Sequence, residues 1–184
     1  MSFRCEIRLS GEGGQGLVLA GKILTEAAAI YDGMNATQSQ SYGPEARGGA
    51  SRSEVILSDE DIDFPKALHL DLLLALTQEA CDRYVGDLKP SGILLVDCDA
   101  VKQHPTGPFK VCAVPLIRSA REGLGREVVG NIVALGVITR LLNVVSEGSV
   151  REAILTRVPK GTEEINRKAF ELGLGMAEGV CDKA

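Results

Sequence analysis

The chain has 184 residues, of which 45% are hydrophobic and 24% are charged, and its formal net charge is −5. This length and composition predict one soluble globular domain spanning residues 1–184. Because the charge is acidic overall and no basic block is interleaved with aromatic residues, a nucleic-acid groove is not expected. The longest apolar runs are too short to span a bilayer, and the first residues carry no signal-peptide pattern. We therefore expect a cytoplasmic protein without membrane contact.

The cysteines and histidines do not form a pattern typical of a metal site or a catalytic centre. Zinc sites and iron–sulfur clusters use cysteines at short, characteristic spacings, and this sequence has no C-x-x-C pair. The two histidines, His69 and His104, are far apart in the chain and are predicted to be ordinary histidines. We expect no catalytic residue, no metal and no cofactor held by this chain alone.

The first part of the chain predicts alternating strands and helices. A strand over Arg4–Ser10 alternates apolar and charged residues, and a helix over Leu17–Tyr31 repeats apolar residues at helical spacing. Met34–Gln40 is predicted to be a second strand, although its many polar residues are unusual for a strand in the core. Ser41–Gly49 contains glycine, proline and serine and is predicted to be a loop.

The rest of the chain predicts further strands followed by helices. The expected strands are Ala50–Leu57, Leu70–Leu76, Ile93–Asp97 and Phe109–Val114, with a turn at Lys89–Gly92. The expected helices are a short one capped by Thr77, then Pro115–Leu124, Val128–Leu142, one started by a capping box at Ser149-x-x-Glu152 and one opened by Thr162. This order predicts an α/β fold with a Rossmann-like, mostly parallel sheet covered by helices and a helical carboxyl-terminal part.

A glycine-rich loop follows the first predicted strand. Gly11, Gly13 and Gly16 satisfy the pattern G-x-G-x-x-G between a strand and a helix, which allows a tight turn and places a helix amino terminus beside it. Dinucleotide sites also need an acid about 20 residues further on, and the segment Ala36–Gln40 has none. No Gly-Lys-Ser/Thr sequence closes the motif as in a P-loop. The loop is therefore expected to accept an anion, a polar group or a neighbouring backbone.

The expected affinity of this loop is low. A helix terminus together with one arginine contributes about 4 kcal/mol, which corresponds to roughly millimolar binding. Tight binding of a cofactor would need a second segment that also contacts it. The segment after the second predicted strand is a candidate, because it combines Tyr42, Glu45 and Arg47 with Gly48 and Gly49.

Two interpretations of this second segment remain open. If the first two strands are parallel, both loops leave the same carboxyl-terminal edge of the sheet, where ligands of open α/β sheets bind. Tyr42, Glu45 and Arg47 would then line a shared cleft or a subunit contact. Alternatively, the segment is a solvated turn, in which a Glu45–Arg47 ion pair would contribute little.

At these two loops the sequence resembles the gamma subunit of 2-oxoacid:ferredoxin (acceptor) oxidoreductases. The matching residues are Gly11–Gly16, with the sequence GEGGQG, and Gln38–Gly49, with the sequence QSQSYGPEARGG. Ser53–Ser58, Gly130–Gly136 and Asn166–Gly173 add weaker support. Among the branches of the family, the sequence looks closest to the 2-oxoglutarate enzymes, and the pyruvate and branched-chain enzymes are the next candidates.

The resemblance implies a subunit of a multi-subunit enzyme. The implied reaction is the coenzyme A-dependent oxidative decarboxylation of a 2-oxoacid to an acyl-CoA and carbon dioxide, with electrons passed to ferredoxin. It also implies that thiamine diphosphate, magnesium and 4Fe-4S clusters belong to partner alpha, beta and ferredoxin-like delta subunits, and that coenzyme A is a co-substrate of the complex. The isolated chain is then expected to be inactive, and a homodimer of it is compatible with this expectation.

The predicted contact residues come from both loops and from one helix. They are Gly11, Gly13, Gly14, Gln15, Gly16, Tyr42, Glu45, Arg47, Gly48, Gly49 and Asn131. Two other classes of function remain open at this point. One is a stand-alone module that binds a nucleotide or coenzyme A through the glycine-rich loop, and the other is a structural subunit without ligand contact.

Overall fold

The computed structural model describes residues 2–43 and 49–180. Its strands are β1 (Arg4–Glu12), β2 (Asn35–Tyr42), β3 (Ala50–Ser58), β4 (Leu70–Ala75), β5 (Leu88–Asp97) and β6 (Lys110–Val114). Its helices are α1 (Leu17–Glu26), α2 (Gln78–Tyr84), α3 (Leu116–Leu124), α4 (Gly130–Leu142), α5 (Glu147–Arg157) and α6 (Glu163–Met176). A π-helical segment, Ala27–Tyr31, continues α1.

All six strands belong to one sheet with the order β2-β3-β1-β4-β5-β6. β3 is antiparallel to both of its neighbours, whereas β1, β4, β5 and β6 are parallel. The antiparallel pairing of β3 with β2 follows from the connection 43–49, because it is too short for the crossover that a parallel pair needs. β2 consequently points in the same direction as β1. The predicted α/β fold with a mostly parallel sheet and a helical carboxyl-terminal part is confirmed.

Two apolar cores cover the two faces of the sheet. The larger one joins the β1 side chains Cys5, Ile7 and Leu9 to α1, α3, α4, α5 and α6. The smaller one packs α2 and part of the segment 59–69 against β3, β4 and β5. Because the side chains of a strand alternate between faces, the other β1 residues, including Glu6 and Arg8, project into the smaller core.

These two charged residues are buried. Glu6 is 7% exposed and Arg8 is 4% exposed. The Glu6 carboxylate accepts hydrogen bonds from the Arg4 side chain (2.8 Å) and from the backbone amides of Leu68 (2.7 Å) and His69 (2.9 Å). Burial acts to raise the pKa of Glu6, but these hydrogen bonds outweigh it, and the pKa is lowered from its ordinary value of 4.5.

Two local predictions were wrong. Lys89–Gly92 was expected to be a turn but belongs to β5, where the pairing with β4 is irregular and a proline can be accommodated. Helix α5 was expected to start from a capping box at Ser149. Its N-cap is instead Ser146, whose hydroxyl accepts a hydrogen bond from the Ser149 amide at 3.2 Å. Ser149 lies in the first turn of the helix, and its hydroxyl donates a hydrogen bond to Asp32.

Helices α4 and α6 approach each other through two glycines. A Cβ atom added to Gly173 would overlap the carbonyl oxygen of Val133 and would lie 3.0 Å from the Cα atom of Gly136. A Cβ atom added to Gly136 would in turn lie 2.9 Å from the Cα atom of Gly173. The backbones of the two helices are therefore in direct contact at this crossing.

Candidate functional site

The loops after β1 and β2 meet at the start of β3. The Gly13 amide donates a hydrogen bond to the Gly49 carbonyl at 2.8 Å, and the Gly43 amide donates one to the Ala50 carbonyl at 2.7 Å. The prediction that both loops leave the same edge of the sheet is confirmed. Glu45, Arg47 and Gly48, which were predicted to contribute to this site, lie outside the described residues. Below, the loop rim means residues 12–17, 42–43 and 49.

The glycine-rich loop is folded around the side chain of Gln15. Its Oε1 atom accepts a hydrogen bond from the Glu12 amide at 2.7 Å, and a Cβ atom at Gly11 would overlap that oxygen. Gly14 and Gly16 have φ angles of 93° and 73°, a region that glycine adopts without strain. Gly16 is the N-cap residue of α1. Gly11, Gly14 and Gly16 are therefore required by the shape of the turn.

Asn131, in the first turn of α4, joins this helix to the glycine-rich loop by a hydrogen bond. Its side-chain amide donates a hydrogen bond to the Gly16 carbonyl at 3.0 Å, and its Oδ1 atom accepts one from the Ile132 amide at 2.9 Å. Asn131 is 5% exposed, and a Cβ atom at Gly16 would lie 2.9 Å from its Cγ atom. The structure thus gives Asn131 a part in shaping the loop, while a ligand contact of this residue stays a prediction.

A cleft of about 410 Å³ opens beside the loop rim, on the face of the sheet that carries α2. Gly11, Tyr42 and Gly49 line it, and Tyr42 is 61% exposed. The other predicted site residues in the described part of the chain do not line this cleft. Its remaining lining residues come from β1, β2, β3, the connection 43–49 and the segment from Thr77 to the end of α2. They are Glu12, Ser41, Gly43, Ala50, Ser51, Arg52, Thr77, Glu79, Ala80, Arg83 and Tyr84.

An arginine cluster that sequence analysis missed forms part of this cleft. The guanidinium carbons of Arg52 and Arg83 each lie 5.5 Å from the centre of the Tyr84 ring, and that of Arg8 lies 4.9 Å from it. No local pattern marks these residues, because β1, β3 and α2 come together only in the folded chain. The adjacent pair Arg83-Tyr84 on the predicted short helix was the one available signal.

Beneath the cleft, Arg8 is held by a set of buried contacts. Its guanidinium pairs with Glu54 at 2.8 Å and with Asp87, and it donates a hydrogen bond to the Ala67 carbonyl at 3.0 Å. Glu54 is 7% exposed and also lies 3.7 Å from Arg52. The floor of the cleft is therefore a connected network of charges.

The described residues contain neither a group of metal ligands nor a membrane-spanning helix. Within residues 2–43 and 49–180, no three histidine, cysteine or acidic side chains are grouped as metal ligands. No helix in the same ranges combines the length and apolar character needed to cross a bilayer.

Comparison with known families gives a direct match. The family model described as pyruvate ferredoxin/flavodoxin oxidoreductase matches residues 6–176. The chain belongs to this family. Within it, the 2-oxoglutarate synthase subunit KorC of Methanocaldococcus jannaschii is 52% identical over 180 residues, which cover 97% of this chain and 96% of that protein. The KorC subunit of Methanothermobacter marburgensis is 47% identical and covers 93% of this chain and 95% of its own length. The predicted resemblance, including its closeness to the 2-oxoglutarate branch, is confirmed.

Two solved structures share this fold, and the first of them supports the same assignment. The gamma subunit of keto/oxoacid ferredoxin oxidoreductase from Geobacter sulfurreducens superposes with a TM-score of 0.89 at 54% identity, over 97% of this chain and 98% of that one. The 2-oxoglutarate:ferredoxin oxidoreductase of Magnetococcus marinus superposes with a TM-score of 0.83 at 23% identity, over 95% of this chain and 31% of that one. The second match shows the fold alone.

Proposed function

We propose that this chain is the gamma subunit of a 2-oxoglutarate:ferredoxin oxidoreductase. In the reaction of such a complex, 2-oxoglutarate and coenzyme A give succinyl-CoA and carbon dioxide, and the two electrons released reduce ferredoxin. Family membership and the 52% identical KorC relative support the substrate class. The structural observation that carries the proposal is the backbone hydrogen bond that joins the two glycine-containing loops into one rim.

The loop rim suits contact with another polypeptide. Glu12, Gly13 and Gly14 are exposed, while the turn beneath them is fixed by Gln15 and, through Gly16, by Asn131. An exposed but rigid backbone can meet a partner surface without a large loss of conformational entropy. We infer that the rim packs beside the active site borne by the partner alpha and beta subunits.

The cofactors of the reaction are assigned to those partners and to a ferredoxin-like delta subunit. Thiamine diphosphate, when bound in the complex, supplies the carbanion chemistry. The contribution of this chain is to shape and close the approach to the site through the rim and the cleft.

The exposed edge of β2 is a second surface that fits a partner. β2 pairs with β3 without interruption from Asn35 to Tyr42 and has no charged residue. Natural sheet edges are normally protected by charges, prolines, bulges or short length. At the opposite edge, β6 has only five residues and begins with Lys110. The unprotected β2 edge is therefore expected to be covered in the complex.

Reconstitution tests the proposal. The isolated chain should show no turnover, and addition of the alpha, beta and delta subunits should restore dye reduction that depends on both 2-oxoglutarate and coenzyme A. Gln40→Lys, on the exposed β2 edge, should weaken assembly at least several-fold in a pull-down because an unpaired charge enters the contact. Ser91→Lys, at an exposed position near the start of β5, is the matched control and should assemble normally. Turnover by the chain alone, or an active complex formed without it, would refute the proposal.

A stand-alone module that binds a nucleotide or coenzyme A is the second candidate, and the cleft of about 410 Å³ is the observation in its favour. It predicts that the isolated chain binds such a ligand with micromolar affinity, seen as a rise in melting temperature. Under the gamma-subunit proposal, such tight binding requires the partner subunits. A structural subunit without ligand contact would instead tolerate Tyr42→Phe with unchanged kinetics of the complex.

A further inference from the structure

We propose that Arg52, Arg83 and Tyr84 form an oxyanion-binding subsite in the cleft. The ligand would present a phosphate or carboxylate group to the two guanidinium groups, and Tyr84 would keep them together. The subsite belongs to this chain alone, so its ligand binding does not depend on the assembly proposed above.

The geometry brings the two arginines to one place. Arg52 comes from β3 and Arg83 from α2, and both side chains line the cleft. Each guanidinium carbon lies 5.5 Å from the centre of the same Tyr84 ring, so their separation cannot exceed twice that distance. Cation–π contact orients a guanidinium while leaving its N–H groups available. Those donors can then form the paired hydrogen bonds that arginine makes to planar oxyanions.

The positive charge of this pair is only partly neutralised. Among residues 2–43 and 49–180, no carboxylate lies within ion-pair distance of Arg83. Its guanidinium lies over the Tyr84 ring. Arg52 lies 3.7 Å from Glu54, but that carboxylate is already paired with the buried Arg8 at 2.8 Å. Glu54 and Asp87 thus pair with Arg8 and Arg52, while Arg83 has no carboxylate partner among the described residues. An anionic ligand would provide the partner that Arg83 lacks.

The buried network below explains how the pair is held in position. The guanidinium carbon of Arg8 lies 4.9 Å from the centre of the Tyr84 ring, and ion pairs with Glu54 and Asp87 hold this guanidinium in place. A buried ion pair usually adds little stability compared with apolar side chains of similar volume. The Arg8–Glu54 pair instead holds the Tyr84 ring in position and, through Glu54, the Arg52 side chain. Arg8 and Glu54 are positioning residues of the subsite.

Two acidic side chains that line the cleft restrict where an anion can bind. Glu12 projects from β1 on the same face as Arg52, and Glu79 lies one helical turn before Arg83 on α2. Neither is within ion-pair distance of the two arginines. Their negative charge opposes an anion, so the ligand must place its oxyanion at the arginine end. Removing the Glu12 charge should therefore strengthen binding.

Titration of the full-length chain with inorganic pyrophosphate, followed by NMR of the arginine Nε–H signals, tests the subsite. Binding in the millimolar range or tighter is expected, with shifts centred on Arg52 and Arg83. Loss of a charge-assisted hydrogen bond predicts that Arg83→Gln and Arg52→Gln each weaken binding by about tenfold or more. Glu12→Gln should strengthen it. Arg167→Gln, on exposed α6, is the matched control and should bind as the unchanged chain does.

Competition experiments distinguish a phosphate ligand from a carboxylate ligand. Displacement of pyrophosphate by coenzyme A identifies a phosphate group as the natural oxyanion, and displacement by 2-oxoglutarate identifies a carboxylate. Arg83→Lys keeps the charge but loses the planar donor pair, so it should fold normally and still bind less tightly. The proposal is overturned if pyrophosphate causes no shift at about 10 mM. It is equally overturned if Arg83→Gln and Arg167→Gln have the same effect.

Discussion

The crossing of α4 and α6 predicts opposite effects for two glycine-to-alanine changes in one helix. Gly173 contacts the backbone of α4, where an added Cβ atom would overlap the Val133 carbonyl oxygen and crowd Gly136. Gly175, two residues further along α6, is exposed and would have no heavy atom within 4 Å of an added Cβ. The two changes are chemically identical, so any difference between them measures the helix contact.

The magnitudes follow from two opposing effects. Alanine is favoured over glycine in a helix by up to about 1 kcal/mol. Inserting a methyl group into a tightly packed contact costs about 1–3 kcal/mol, and more where backbone must move. Gly173→Ala should therefore lower the free energy of unfolding by about 2 kcal/mol, which corresponds to roughly 4–8 °C in melting temperature for a chain of this size. Gly175→Ala should raise the melting temperature by at most about 4 °C.

Thermal unfolding of both variants, followed by circular dichroism and checked by urea denaturation, gives the comparison. A double variant should show nearly additive effects, because Gly175 makes no contact with α4. If Gly173→Ala were as stable as Gly175→Ala, the two helices could not be in backbone contact, and the packing described for the larger core would be wrong.

Two further predictions concern buried polar residues. Glu6→Gln should destabilise the chain at neutral pH, and the difference from the unchanged chain should shrink in acid. The pKa of Glu6 is lowered on folding, so its stabilisation is present above 4.5 and is lost as the pH falls through the folded-state pKa. Urea unfolding across this pH range measures it, and a difference independent of pH would contradict the assignment. Asn131→Ala should lower the free energy of unfolding by about 0.5–1.5 kcal/mol, because the Gly16 carbonyl loses one of its two hydrogen bonds and keeps the one from the Ala20 amide. Unchanged stability would show that the loop does not depend on this hydrogen bond.

The sequence was informative where the signal is local. The glycine pattern at Gly11–Gly16 connects a strand to a helix, as predicted, with its first two residues at the end of β1. Each of these features depends on residues close together in the chain. The unusual polarity of the second predicted strand is explained by its place at the sheet edge, where one side of the backbone has no neighbouring strand. The meeting of the two loops was predictable from strand direction alone. The boundary of one domain over the whole chain stays a prediction.

The sequence was uninformative where distant segments decide the outcome. Ser146 and Ser149 are both good capping residues, and the hydroxyls of both donate hydrogen bonds to Asp32, more than a hundred positions away. Spacing along the chain does not distinguish which of them caps α5. The arginine cluster around Tyr84 likewise depends on three separate elements. No spacing rule connects Arg52 to α2, so this part of the cleft could be found only in the folded chain.

The contacts of Arg8 have a consequence for how this protein can change over evolutionary time. One guanidinium joins β1 to Glu54 on β3, to Asp87 before β5 and to the Ala67 carbonyl before β4. Arg8 and Glu54 are the buried members, and losing either one removes the nearest partner of the other buried charge, which costs up to about 3–5 kcal/mol. Single substitutions at Arg8 or Glu54 should therefore be selected against, and homologues that lack one should have replaced the whole set with apolar residues.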